Sequence, residues 1–123
     1  MNVIAKIEDI NCTCYPTKFE GLEIKEIESG IIAEGPADCI ESLINHVLKT
    51  NDEENSLYFE GDYVGLEVTL PDIFFRIDNS DVENASRGFW TLFVASRDGQ
   101  HPKTVPISKM GVTLEEIYKI LRG

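Results

Sequence analysis

Two apolar rhythms run through this chain, and together they leave little choice of fold. Val64, Leu66, Val68 and Leu70 fall on every second residue, with Gly65, Glu67 and Thr69 between them. A strand sends successive side chains to opposite faces, so this alternation specifies a half-buried strand. Ile40, Leu43, Ile44, Val47 and Leu48 instead follow the i, i+3, i+4, i+7, i+8 spacing that lines one face of an α-helix. A chain carrying both patterns has to lay amphipathic helices on the apolar face of a sheet.

The remaining segments fit that frame. The helical spacing predicts a helix over 36–50, opened by Pro36 after Gly35, with Asp38 and Glu41 near the positive end of its dipole. Asn51, Asp52, Glu53, Glu54 and Asn55 then read as a polar connector. Strands are expected over 3–10 and 19–27, and again at Ile31, Ile32 and Ala33 after a hairpin or bulge at Ser29 and Gly30. Leu57, Tyr58 and Phe59 lead into a turn signal at Glu60, Gly61 and Asp62, and a further strand covers 73–77. Residues 78–88 read as a polar loop. The 89–95 segment reads as largely covered on both sides, with Trp90, Leu92 and Val94 opposite Phe89, Thr91, Phe93 and Ala95, which marks a central strand with Trp90 buried. Pro106 places the strand at 103–107 on a sheet edge, because proline has no amide to give to a neighbour. Thr113 and Glu116 form a capping box for a helix over 113–121, with Leu114, Ile117, Tyr118 and Leu121 as its buried stripe. The expected architecture is α+β: a mainly antiparallel sheet of five to seven strands with two helices packed on it, in a single domain over residues 1–123.

Composition excludes several classes of function. The three cysteines, Cys12, Cys14 and Cys39, are odd in number and unevenly spaced, which argues for a reducing compartment rather than a disulfide framework. The N-terminal stretch reaches Glu8 too soon for a secretory signal, and no apolar run approaches the roughly 18 residues that span a bilayer, so a cytoplasmic protein with no membrane partner is expected. A net charge of −11 opposes direct contact with nucleic acid, whose phosphates require lysine and arginine. No glycine-rich phosphate loop is present, and no cofactor is expected.

Catalytic and metal chemistry fare little better. Cys12 and Cys14, with Cys39 and His46, lack the paired C-x(2–4)-C spacing of structural zinc, so they read as packed cysteines and no metal is assigned. The acidic stretch from Asp78 has Glu83 at the sixth position of a calcium loop and Phe89 at the twelfth, where glycine and glutamate are required. His46 and His101 are the only imidazoles available to activate a nucleophile, one beside a helical stripe and the other in a turn, and no catalytic residue is assigned.

The distribution of charge carries the functional expectation. Up to Glu83 the chain has 19 acids against five bases, and from Asn84 onward three acids against six bases. Charge of one sign on one surface steers an oppositely charged partner. Glu20, Glu23, Glu26 and Glu28 crowd one strand region, while Glu53, Glu54, Tyr58, Glu60, Asp62, Tyr63 and Glu67 combine carboxylates with aromatic anchors and are the expected partner-binding set. Size, charge and the lack of a catalytic motif are those of an immunity protein that blocks a basic toxin nuclease. Two other readings compete with it: an α+β domain with a pocket lined by Trp90, Tyr58 and His46, and an adaptor subunit of a larger assembly.

Overall fold

The computed structural model describes residues 2–9, 16–28, 30–54, 64–108 and 111–123. They form strands β1 (Asn2–Asp9), β2 (Glu23–Ile27) and β3 (Gly30–Pro36), helix α1 (Ala37–Glu54), and strands β4 (Val64–Thr69) and β5 (Ile73–Asp78). A short helix α2 (Val82–Ser86), strands β6 (Phe89–Ser96) and β7 (Lys103–Ser108), and helix α3 (Leu114–Arg122) follow. The seven strands make one sheet in the order β2-β3-β1-β4-β5-β6-β7, and every neighbouring pair is antiparallel. β3 and β4 flank β1 and run in the same direction, so the chain must cross over the sheet between them. α1 lies in that crossover.

One face of the sheet holds the core. Val3, Ala5 and Ile7 of β1, Ile31 and Ala33 of β3, Leu66 and Val68 of β4, Phe75 and Ile77 of β5, and Leu92 and Val94 of β6 are fully buried there. α1 closes it with the five residues of its stripe, none more than 1% exposed, and α3 adds Ile117. Full burial of a Leu or Ile contributes about 1.5–3 kcal/mol, so this stripe alone outweighs any local propensity in α1. Trp90 is buried as expected, 3% exposed on the same face.

Several boundaries differ from the sequence expectation, each for a local reason. Pro36 ends β3 rather than opening the helix, which is tolerated because the pairing with β2 stops at Glu34. α1 runs on to Glu54, taking in most of the polar run read as a connector; its apolar stripe ends at Leu48, but backbone hydrogen bonding does not require apolar side chains. β2 begins only at Glu23, since Gly21 has φ +83° and the Leu22 amide donates to the Phe19 carbonyl at 3.1 Å, turning the chain where a strand was expected. The expected polar loop holds α2, because Asp81 accepts the Asn84 backbone amide at 3.0 Å and Ala85 is buried. A helix of five residues is too short to show a period. The sheet therefore carries three helices rather than two among the described residues.

The second face of the sheet is partly open, with most of its side chains half-buried and Ile4, Glu34 and Phe89 exposed. Ile4, Lys6 and Glu8 of β1, Ile32 and Glu34 of β3, Phe74 and Arg76 of β5, and Phe89, Thr91 and Phe93 of β6 point to it, alternating with the buried set. α2 lies at the β6 end of this face, where the Asn84 side-chain amide donates to Thr91 Oγ1 at 2.8 Å. β6 is thus interior, as expected, but only its inner side is sealed: Phe89 is 39% exposed.

Candidate partner-binding surface

The seven residues expected to bind a partner are not gathered into one described site. Tyr58, Glu60, Asp62 and Tyr63 lie outside the described residues, as does the turn expected at Glu60, Gly61 and Asp62 with the Leu57, Tyr58 and Phe59 that lead into it. Glu53 and Glu54 fall in the last turn of α1. Glu67 projects from β4 onto the open face, where its Oε1 accepts from Arg76 Nη1 at 2.6 Å while Arg76 Nε donates to Asp78 at 2.9 Å. One guanidinium thus holds both carboxylates.

The last turn of α1 holds Asp52, Glu53 and Glu54 and no base, where a helix C-terminus carries partial negative charge. α3 shows the ordinary arrangement, with Glu115 and Glu116 in its first turn and Lys119 and Arg122 in its last.

A second acidic region is fully described, at the β2 edge of the sheet. Glu20, Glu23, Glu26, Glu28 and Glu34 are all exposed, and none has an ion-pair or side-chain hydrogen-bond partner among the described residues. Lys18 and Lys25 lie in the same stretch of sequence and form no ion pair there. Glu23 and Glu34 are cross-strand partners in the β2–β3 ladder and face the same open side. Like charges directly opposite each other destabilise a sheet. Beyond Glu34 in the same row stands Ile4, which is 46% exposed.

Two glycines shape this corner. A side chain at Gly35 would meet Leu22 Cδ2 at 2.5 Å and the Gly21 carbonyl at 2.8 Å, so only glycine lets the 21–22 turn lie against β3. Gly21 combines its positive φ with a close approach to Cys39 Sγ, 2.6 Å from where its Cβ would stand. The outcome is a shallow depression bounded by Gly21, Glu23, Glu34, Gly35 and Pro36, beside a second one lined by Phe19, Glu20, Asp38 and Cys39.

The chemistry of Cys39 runs against catalysis. Burial pushes its thiol up from the ordinary value, and the charge of Asp38, a hydrogen bond to Asp38 and the charge of Glu20 push it the same way. A nucleophilic or metal-bound cysteine needs its thiolate favoured, by a base or a cation. Cys12 and Cys14 lie outside the described residues. His46 is exposed on α1 with its ring 5.7 Å from that of Phe19, while Trp90 belongs to the core, so these two do not share a pocket. No three His, Cys, Asp or Glu side chains converge to hold a metal among the described residues. The carboxylates after Asp78 are likewise in structural use: Asp78 accepts from Arg76 and Ser80, Asp81 caps α2, and Glu83 pairs with Arg87 at 2.8 Å.

Sequence reading missed Glu34 and Ile4, because their importance comes from cross-strand register. No described helix is long and apolar enough to cross a membrane. No protein-family model, curated protein or solved structure matches this chain.

Proposed function

We propose that this chain is a non-catalytic acidic protein that binds and neutralises a basic partner protein, in the manner of an immunity protein acting on a nuclease-type toxin. One observation carries the reading: among the described residues, the carboxylates without partners gather at the β2 edge, while those at the far end of the sheet hold ion-pair or hydrogen-bond partners. Unmatched like charge costs folding energy, and a cationic partner recovers that energy on binding. Carboxylates would take positions that a nuclease offers to phosphates, steering association and then excluding the substrate. Glu53, Glu54, Tyr58, Glu60, Asp62 and Tyr63 remain in the proposal on charge and aromatic character, whereas Glu67 contributes least because Arg76 holds it.

The test is a pull-down from the source cells at low and high salt, followed by association kinetics with the recovered protein. Reversing Glu20, Glu23, Glu26 and Glu34 to lysine should slow association by about tenfold or more, and reversing Glu115 and Glu116 should not. A recovered nuclease should lose its activity at one equivalent of this protein. Failure to recover a basic protein, or a partner whose binding ignores both salt and these substitutions, overturns the reading.

A further inference from the structure

We infer that the docking surface for the basic partner is the open sheet face at its β1–β3 end, centred on Glu23, Glu34 and Ile4, and that the partner seats there an arginine or lysine flanked by an apolar side chain. This rests on the reading of the chain as a binder of a basic protein. It adds where the contact falls and what it must contain.

Three facts converge on this row. Among the described residues the two large apolar side chains left most exposed are Ile4 and Phe89, and both lie on the open face. Ile4 is the register partner of Glu34, which is in turn the register partner of Glu23, so the exposed apolar group and the unmatched pair are contiguous. The neighbouring bases leave that pair unmatched: Lys6 donates to Glu8 at 3.0 Å, and Lys25 makes no ion pair among the described residues.

Protection of a sheet edge does not account for this arrangement. Charges on an exposed edge strand discourage unwanted strand pairing, which explains Glu23, Lys25 and Glu26 of β2. Glu34 and Ile4, however, stand on β3 and β1, which are paired on both sides. Solubility would explain a charge on β3, and a single exposed isoleucine is ordinary on a surface; what sets Ile4 apart is its place in one row with Glu34 and Glu23. Charge complementarity then selects the occupant. A second copy docked face to face on this row would set glutamate pair against glutamate pair, and nucleic acid would set phosphate against them. A cation fits between the carboxylates, and an apolar neighbour in the same partner covers Ile4, excluding water from the ion pair.

The experiment titrates the isotopically labelled full chain, followed by NMR amide shifts, with three nine-residue peptides: alternating Leu/Arg, Gly/Lys and Leu/Glu. The Leu/Arg peptide should shift the amides of Glu23, Glu34 and Ile4 saturably, bind about tenfold more tightly than Gly/Lys, and leave Leu/Glu without effect. Ile4→Ser should weaken Leu/Arg by about fivefold while leaving Gly/Lys unchanged, and Glu23→Gln with Glu34→Gln should weaken both by about tenfold. The same spectra report whether each variant is folded. Shifts centred elsewhere, or affinities unchanged in these variants, overturn the docking surface, as does a homodimer in sedimentation that Ile4→Ser dissociates. A basic protein recovered in a salt-sensitive pull-down that binds these variants like the wild type overturns the surface while leaving the proposed function standing. Peptide shifts mapped to this row, with no basic protein recovered from cells, support the surface and remove the function.

Discussion

The two ends of the sheet handle charge in opposite ways. At the β5–β7 end the carboxylates are in structural use. Asp72 accepts from Tyr118 at 2.7 Å, Asp78 from Arg76 at 2.9 Å, and Asp98 from the Gln100 amide at 3.0 Å, while Glu83 pairs with Arg87. There α3 also matches its dipole at both termini. At the β2 end, Glu20, Glu23, Glu26, Glu28 and Glu34 stand exposed and unmatched among the described residues. One end is consistent across the levels that specify a fold. The other is not, and local inconsistency in an otherwise consistent chain is a mark of function.

The largest test of this contrast concerns the end assigned to stability. Trp90→Ala should cost about 3–5 kcal/mol, the range for large-to-small aromatic changes in a core, read from the denaturant midpoint. Its indole Nε1 has no hydrogen-bond partner among the described residues, so Trp90→Phe gives up no bond there and should cost much less. An unchanged midpoint in Trp90→Ala would break the comparison at its stable end.

A medium effect is expected at the joint between the two ends. The Asn45 side chain on α1 accepts from the Val112 amide at 2.8 Å and donates to the Val112 carbonyl at 2.9 Å, and Glu41 accepts from the Leu114 amide at 2.6 Å. These bonds tie α1 to the entry of α3. Asn45→Ala leaves two partly buried backbone groups without partners and should cost about 1–3 kcal/mol in thermal or chemical unfolding. A loss below about 0.5 kcal/mol would mean that water replaces the amide and that the ends are joined by core packing alone.

How much of this was legible in the sequence follows from the range of each interaction. The helical stripe from Ile40 to Leu48 and the alternation of Val64 to Leu70 are local patterns, and both elements form where their periods place them. Thr113 caps α3 within three residues of its partner Glu116, and Pro106 marks β7 as an edge strand. The opposition of Glu23 and Glu34 depends instead on how β2 pairs with β3, and the place of Ile4 beside them on how β1 pairs with β3 from about thirty positions away in sequence. Acidic content alone pointed to Glu53, Glu54 and Glu67 with equal force. Only the register separates a glutamate held by Arg76 from one set against another glutamate.

The smallest predicted effect is also the most discriminating, because it differs in sign. Glu34→Gln removes one member of an opposed like-charge pair, and cross-strand pairs are worth about 0.2–1 kcal/mol, so the variant should be more stable than the wild type by an amount within that range. Glu67→Gln removes a carboxylate from a matched pair in which both side chains are 34% exposed, and should lose up to about 1 kcal/mol, as surface ion pairs do. Both are glutamates on interior strands facing the same open side of the same sheet, and both become the same amide, so differences of propensity and solvation largely cancel. Thermal unfolding at low salt should separate them in opposite directions, and raising the salt should draw the two variants together as the charges are screened. If Glu34→Gln instead destabilises as Glu67→Gln does, Glu34 has a stabilising role in the free protein, and the unmatched charge of the β2 end ceases to be a sign of an absent partner.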